Sequence, residues 1–259
     1  MIAPAATLHL GDCLDVLRSL PDGSVDAVVT DPPYGIARVW KGGFGRGWGK
    51  ADQQKSARNS WDDEPPPAEV FQAILGWRVP TVIWGGNYFA LPPSRCWLVW
   101  NKPERGFTLA EAELAWTSLD AVVRVFDYRR SDPNRVHPTQ KPVALMRWCI
   151  ERLKLKPGST VFDPYMGSGT TGVAAVELGF NFIGCEIDPA YHAIATKRID
   201  DALNQAKEAQ LNLTYGKDTG FTNLKGLDAV QRPDGISLAQ EYGDRFKQHV
   251  VRRLKRHIL

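Results

Sequence analysis

The six residues Gly167-Ser168-Gly169-Thr170-Thr171-Gly172 constrain the fold more than any other stretch of the chain. They follow a short apolar run at residues 160–162 and open a helix-like segment at residues 170–178. Glycines at such a strand-to-helix turn permit left-handed backbone and bring the main chain close to whatever it holds. A second strand, residues 181–185, follows and runs into Glu186, and a long helix is expected from Pro189 to about residue 210. Strands alternating with helices predict an α/β fold built on a doubly wound, mainly parallel sheet.

The N-terminal half has the same rhythm. Residues 7–10 and 25–30 read as strands on either side of a helix at residues 13–19, where Leu14, Leu17 and Leu20 recur at helical spacing. Residues 67–77 read as a helix, and residues 81–84 and 96–100 as strands. Residues 112–116 and 122–126, joined by the turn at 118–120, are expected to form an antiparallel hairpin on the same sheet. Another helix is expected to about residue 153, with Pro142 in its first turn.

A chain of 259 residues with 43% apolar content can bury one full-sized core. We expect a main domain over residues 1–210 and a basic extension over residues 211–259. No run approaches the eighteen apolar residues of a membrane span, so a soluble, cytoplasmic protein is expected. Cys13, Cys96, Cys149 and Cys185 include no C-x-x-C pair, which argues against a metal cage or a disulfide framework. The net charge is only +3, but the cations are clustered. Residues 35–60 hold Arg38, Lys41, Arg46, Lys50, Lys55 and Arg58 among glycines and aromatics, with Asp52 the one acid. Residues 245–259 hold six Lys or Arg and no acid, and both stretches suit contact with phosphates.

The strand at 25–30 runs directly into Asp31-Pro32-Pro33-Tyr34, where two prolines end ladder donation and turn the chain out of the sheet. That puts a carboxylate, a rigid carbonyl and an aromatic ring at a strand's carboxyl end, on the edge where open α/β sheets bind ligands. Such a set suits an exocyclic amine of a nucleobase, whose lone pair is delocalised into the ring. Asp31 and the carbonyl of Pro32 can accept its two hydrogens and favour a pyramidal, nucleophilic nitrogen. Tyr34 can stack on the base, for about 1–3 kcal/mol. A base in a duplex must be flipped out to reach such a site. The chain contains no Pro-Cys pair, which agrees with direct attack and no covalent intermediate.

The glycine loop lacks the lysine of a phosphate-gripping P-loop. Glu186, ending the next strand, can accept both hydroxyls of a ribose. Asp163 beside the loop would repel a pyrophosphate yet suit a ligand bearing an ammonium and a sulfonium. S-adenosylmethionine is therefore favoured over a nicotinamide dinucleotide.

These motifs together resemble the DNA amino-methyltransferases, in the permuted β class where the catalytic motif precedes the cofactor loop. Gly11-Asp12-Cys13-Leu14, Asp31-Pro32-Pro33-Tyr34, His137-Pro138-Thr139-Gln140-Lys141-Pro142 and Phe162-Asp163-Pro164-Tyr165-Met166-Gly167-Ser168-Gly169-Thr170-Thr171 occur in that family's order. The resemblance implies that Asp12 contacts the cofactor's adenine and Glu186 its ribose. It places Thr139, Gln140, Lys141, Asp163, Pro164, Tyr165, Gly167, Ser168, Gly169 and Thr170 around the methionine end. Asp31, Pro32, Pro33 and Tyr34 would hold the base. Aspartate at the first position resembles the adenine N6 enzymes more than the cytosine N4 enzymes. The resemblance also implies double-stranded DNA as substrate, no metal, a homodimer, and a solitary modification or restriction-modification enzyme. On sequence alone, a nicotinamide oxidoreductase, a non-catalytic DNA-binding protein on this scaffold, and a methyltransferase acting on RNA or protein stay open.

Overall fold

The computed structural model describes residues 3–36, 62, 64–105, 110–130 and 140–219. The chain divides into two compact units, residues 1–207 and residues 208–259. The first carries the sheet, and the described part of the second is the end of a helix. In chain order the elements are β1 (Ala6–Leu10), α1 (Cys13–Ser19), β2 (Ala27–Thr30), α2 (Ala68–Gly76), β3 (Thr81–Trp84), β4 (Trp97–Asn101), β5 (Ala112–Thr117), β6 (Arg124–Asp127), α3 (Val143–Arg152), β7 (Thr160–Asp163), α4 (Thr170–Glu177), β8 (Asn181–Glu186) and α5 (Pro189–Thr219).

The eight strands form one sheet in the order β1-β8-β7-β2-β3-β5-β4-β6. The first five are mutually parallel. β5 runs antiparallel to both of its neighbours, and β6 runs parallel to β4 at the sheet's edge. The expected pairing of residues 112–116 with 122–126 is therefore not formed. Both edges of β5 are already taken, by β3 and by β4, so the chain passes over to the free edge of β4 instead. Burial explains the choice: Ala115, Trp116 and Thr117 are buried, whereas three of the four residues of β6 are exposed, as suits an edge strand. The antiparallel hairpin lies one connection earlier, between β4 and β5.

Helices cover both faces. Val29, Val82, Trp84, Leu98, Val161 and Phe182 form one core with residues of α3, α4 and α5. Val28, Phe162 and Cys185 form the other with Val16 and Leu17 of α1 and Val70 and Ile74 of α2. After β2 the chain crosses by α2 to β3, and after β7 it crosses by α4 to β8, on the opposite side. The carboxyl ends of β2 and β7 are thus neighbours from which the chain departs in opposite directions. This is the switch point where open α/β sheets form a crevice. Gly169, in left-handed backbone at φ +81°, caps α4 there, and a Cβ on it would lie 3.0 Å from the backbone of Ala195.

Candidate active site

The two motifs meet at that switch point through one hydrogen bond. Thr30, the residue before Asp31, donates its hydroxyl to Asp163 Oδ1 at 2.7 Å. The same oxygen accepts the Tyr165 amide at 3.0 Å, and Oδ2 accepts the Thr171 hydroxyl at 2.6 Å. Asp163 is only 1% exposed. Burial pushes its carboxyl up to about 7, against the pull of the two hydroxyls and the amide. Asp163 thus ties β2, β7 and α4 together.

Asp31, at the end of the neighbouring strand, meets a cation instead. Lys141 Nζ lies 2.8 Å from each of its carboxylate oxygens, and the Tyr34 hydroxyl donates to Oδ1 at 2.7 Å. Lys141 also reaches Glu113 Oε2 at 2.9 Å and the Tyr34 oxygen at 3.0 Å. Glu113 is paired in turn with Lys102. The side chains of Lys102 and Lys141 are each 5% exposed, so both ammoniums depend on these partners. Burial opposes the charge on Lys141, but Asp31 and Glu113 outweigh it and hold the ammonium protonated, above its ordinary value. Glu113 is drawn down to about 2 because the two lysines overcome the effect of burial. Asp31 is raised by burial; Lys141 lowers it and Glu113 raises it further.

The walls of this cluster are aromatic. Tyr34 stacks on Tyr88, with centroids 5.1 Å apart and planes at 20°, and meets Phe89 edge-on at 6.2 Å. Asp62 fixes the turn after the prolines by accepting the amides of Tyr34 at 2.7 Å and Gly35 at 3.0 Å. Gly85, past the end of β3, is left-handed at φ +68°, and a Cβ there would stand 2.2 Å from the Tyr34 ring. Only glycine lets this turn lie against that ring.

A cleft on the other side of the switch point is lined by Gly11, Asp12, Leu14, Pro164, Tyr165 and Glu186, among others. Asp12 caps α1 by accepting the Leu14 amide at 2.7 Å. Glu186 accepts the amide of Gly167 on one oxygen and that of Asp188 on the other, both at 2.9 Å. Burial raises its carboxyl, and those amides lower it. Gln140 accepts the Ser168 hydroxyl at 3.1 Å, and Arg198 donates to the Ser168 carbonyl at 2.5 Å.

The expected residues do not all come together. Asp12, Pro164, Tyr165 and Glu186 line the cleft; Gly167, Ser168, Gly169 and Thr170 form the turn into α4, with Gln140 on Ser168. Asp163 is buried beneath that turn and is not among the lining residues. Lys141, expected beside the cofactor, sits on Asp31. Thr139 and the cations Arg38, Lys41, Arg46, Lys50, Lys55 and Arg58 lie outside the described residues. The sequence reading passed over Glu113, Lys102, Asp62 and Tyr88. Glu113 had a signal: a lone acid in an apolar strand, two residues from Ala115 on the same face, needs a buried partner.

A family model described as DNA methylase, of the N6/N4 kind, matches residues 50–197, which is more than half of the chain. The chain belongs to that family. The match includes Glu113, Lys141, the glycine loop and Glu186, and starts beyond Asp31-Pro32-Pro33-Tyr34. Among curated proteins, the methylase is 29% identical over 202 residues to the "putative methylase YubD" of Escherichia coli K12, covering 73% of this chain and 88% of that one. It is 26% identical over 282 residues to the "DNA adenine methyltransferase YhdJ" of the same organism, covering 90% and 95%. A solved structure of the M1.HpyAVI–SAM complex is similar to 75% of the methylase and 99% of that chain, at 22% identity and a TM-score of 0.49.

Proposed function

We propose that the protein transfers a methyl group from S-adenosylmethionine to the exocyclic amine of a base flipped out of double-stranded DNA, with adenine N6 as the target. The observation that carries this reading is the Thr30–Asp163 hydrogen bond, which stitches the Asp31 strand end to the glycine turn so that a base site and a donor site share one rim. Among the described residues, the lining of the cleft includes two carboxylates, Asp12 and Glu186, and no Lys or Arg. That donor set fits a cationic nucleoside and disfavours a pyrophosphate. Glu186 would hold the ribose, Asp12 the adenine, and the turn at residues 164–170 the methionine end.

S-adenosylmethionine supplies an electrophilic methyl carbon on a sulfonium sulfur. Asp31 and the Pro32 carbonyl accept the amine's two hydrogens and direct its lone pair at that carbon. With the donor bound, the methyl would pass from sulfur to nitrogen, and Asp31 would take the proton that the amine sheds. Tyr34 and Tyr88 provide the aromatic wall for the extruded base. Aspartate at the first motif position supports adenine, and so does the name of the 26% identical relative, a DNA adenine methyltransferase. Cytosine N4 is the second reading, because the matching family spans both amines. Within the proposal, residues 1–210 form the catalytic domain, Arg38, Lys41, Arg46, Lys50, Lys55 and Arg58 meet DNA phosphates with help from residues 211–259, and two copies work as a dimer.

The test is transfer of tritiated methyl to unmethylated plasmid DNA and to RNA, followed by digestion and identification of the modified nucleoside. N6-methyldeoxyadenosine is expected. N4-methyldeoxycytidine would move the target to cytosine, label on RNA alone would move the substrate class, and no label on any nucleic acid would sink the reading.

A further inference from the structure

Around the Lys141 ammonium the acceptors outnumber the hydrogens. Nζ carries three hydrogens. Four oxygens lie within 3.0 Å of it: both carboxylate oxygens of Asp31, Glu113 Oε2 and the Tyr34 hydroxyl oxygen. One contact is always surplus, so the ammonium can withdraw from an Asp31 oxygen and still place every hydrogen on an acceptor. Glu113 can receive it without strain on the charge balance, because its other oxygen is held by Lys102. Lys102 is itself seated 4.5 Å from the centre of the Trp100 ring. The cluster as a whole contains two carboxylates and two ammoniums. Asp31, meanwhile, already accepts from Lys141 on both oxygens and from the Tyr34 hydroxyl. That fills both directions of Oδ1 and one of Oδ2, so an amine that binds Oδ1 must displace one of these donors.

We propose that Glu113 is a positioning residue for methyl transfer: it takes up the Lys141 ammonium when a base amine displaces it from Asp31, and Lys102 anchors Glu113 for that exchange. The inference rests on the methyltransferase reading above. Glu113 acts through Lys141 and touches neither base nor donor. Without an alternative seat, the ammonium stays on both Asp31 oxygens, keeps Oδ1 filled, and leaves the amine the remaining direction of Oδ2 alone.

The charged and titratable groups around the cluster are Tyr34 and Asp62 after β2, Glu113 on β5, Lys102 after β4, Arg130 after β6, Lys141 and Cys149 at α3, and Asp163 at the end of β7. Among these, Glu113 raises the Asp31 carboxyl and Lys141 lowers it. Loss of Glu113 must therefore move the acid limb of transfer to lower pH, and loss of Lys141 must move it to higher pH. Those displacements report the charges beside Asp31; the positioning role is read from the loss of rate at saturating DNA with donor affinity kept.

The experiment measures single-turnover transfer of tritiated methyl to unmethylated plasmid DNA between pH 5 and 9, with donor affinity by calorimetry, for wild type, Glu113→Gln, Glu113→Asp, Lys141→Met and the charge-balanced pair Lys102→Met/Glu113→Gln. Glu113→Gln is expected to slow transfer at saturating DNA by about ten- to a hundredfold, the scale of a misplaced catalytic contact. Donor affinity should stay within about threefold, Glu113→Asp should recover part of the rate, and the limbs should move oppositely. The charge-balanced pair guards against misfolding of the single variant, and it should be as slow as Glu113→Gln. Unchanged transfer in either Gln variant, or limbs moving the same way, would overturn the inference while leaving the methyltransferase reading intact. A wild type that labels no nucleic acid would remove both.

Discussion

Asp31 and Asp163 end two adjacent parallel strands, yet their surroundings make them opposites. Asp163 is enclosed by two hydroxyls and an amide, all neutral donors, and burial pushes its carboxyl up to about 7. Asp31 is also raised by burial, but an ammonium lies 2.8 Å from each oxygen and pulls the other way. The difference teaches that position on the sheet does not assign a carboxylate its task. The charge of the partner decides: neutral donors leave burial to raise Asp163, whereas at Asp31 a cation opposes the same effect.

The harshest test of this contrast removes the working member. Asp31→Ala should slow methyl transfer by roughly a thousandfold or more, the scale of deleting a preorganised transition-state contact. Donor affinity should stay within a few-fold, because the cleft lining does not include Asp31. Single-turnover labelling together with calorimetry checks both, and brisk turnover by this variant would erase the distinction between the two aspartates.

Asp163→Asn probes the other member through stability. The folded carboxyl titrates near 7, well above the ordinary value of 3.8, so between about pH 4 and 7 the folded protein holds a proton that the unfolded chain has lost. Stability from this group is therefore greatest below about pH 4, declines as pH rises through that window, and its penalty is complete above 7. Asparagine cannot ionise, keeps an oxygen for Thr30 and the Tyr165 amide, and can donate to the Thr171 hydroxyl. Against wild type, the variant should gain stability from pH 4 to 8, by at most about 4 kcal/mol. Denaturant titrations at several pH values would show it; parallel pH profiles would mean that Asp163 is ionised throughout.

Much of this was readable from local pattern. The motif Asp31-Pro32-Pro33-Tyr34 sits at a strand's carboxyl end, and the glycine turn caps α4, because prolines and glycines act on their own few residues. What pattern could not supply was the pairing of distant segments. Residues 112–116 and 122–126 are separated by a good turn signal, but β4 and β3 claim β5 from both sides. The same pairing sets Glu113 opposite Trp100, two residues from Lys102, and so builds half of the charge cluster from residues with no motif of their own. The burial of Asp163 was hidden for a related reason. Its expected role as a repellent of pyrophosphate assumed an exposed anion, whereas Asp163 is buried and the carboxylates that line the cleft are Asp12 and Glu186.

Glu186 extends the comparison to a third strand, since β8 lies next to β7 on the side away from β2. Its hydrogen-bond partners are backbone amides, Gly167 on one oxygen and Asp188 on the other, and the residue lines the cleft. A carboxylate held by amides is oriented without being neutralised by a counter-ion, and that suits a group meant to grip a ligand. Glu186→Ala should therefore weaken S-adenosylmethionine binding by about 1–3 kcal/mol, the cost of losing a buried hydrogen-bond partner. Part of the loss would come from the Gly167 amide, which loses its acceptor and with it the set of the glycine turn. Glu186→Gln separates the two contributions. It keeps an acceptor but presents an amide NH2 donor to one side, so it should fall between wild type and alanine in calorimetry, with transfer at saturating donor near the wild-type rate. Equal affinities for all three proteins would mean that the amides orient Glu186 for the turn alone, and it would then join Asp163 as scaffold.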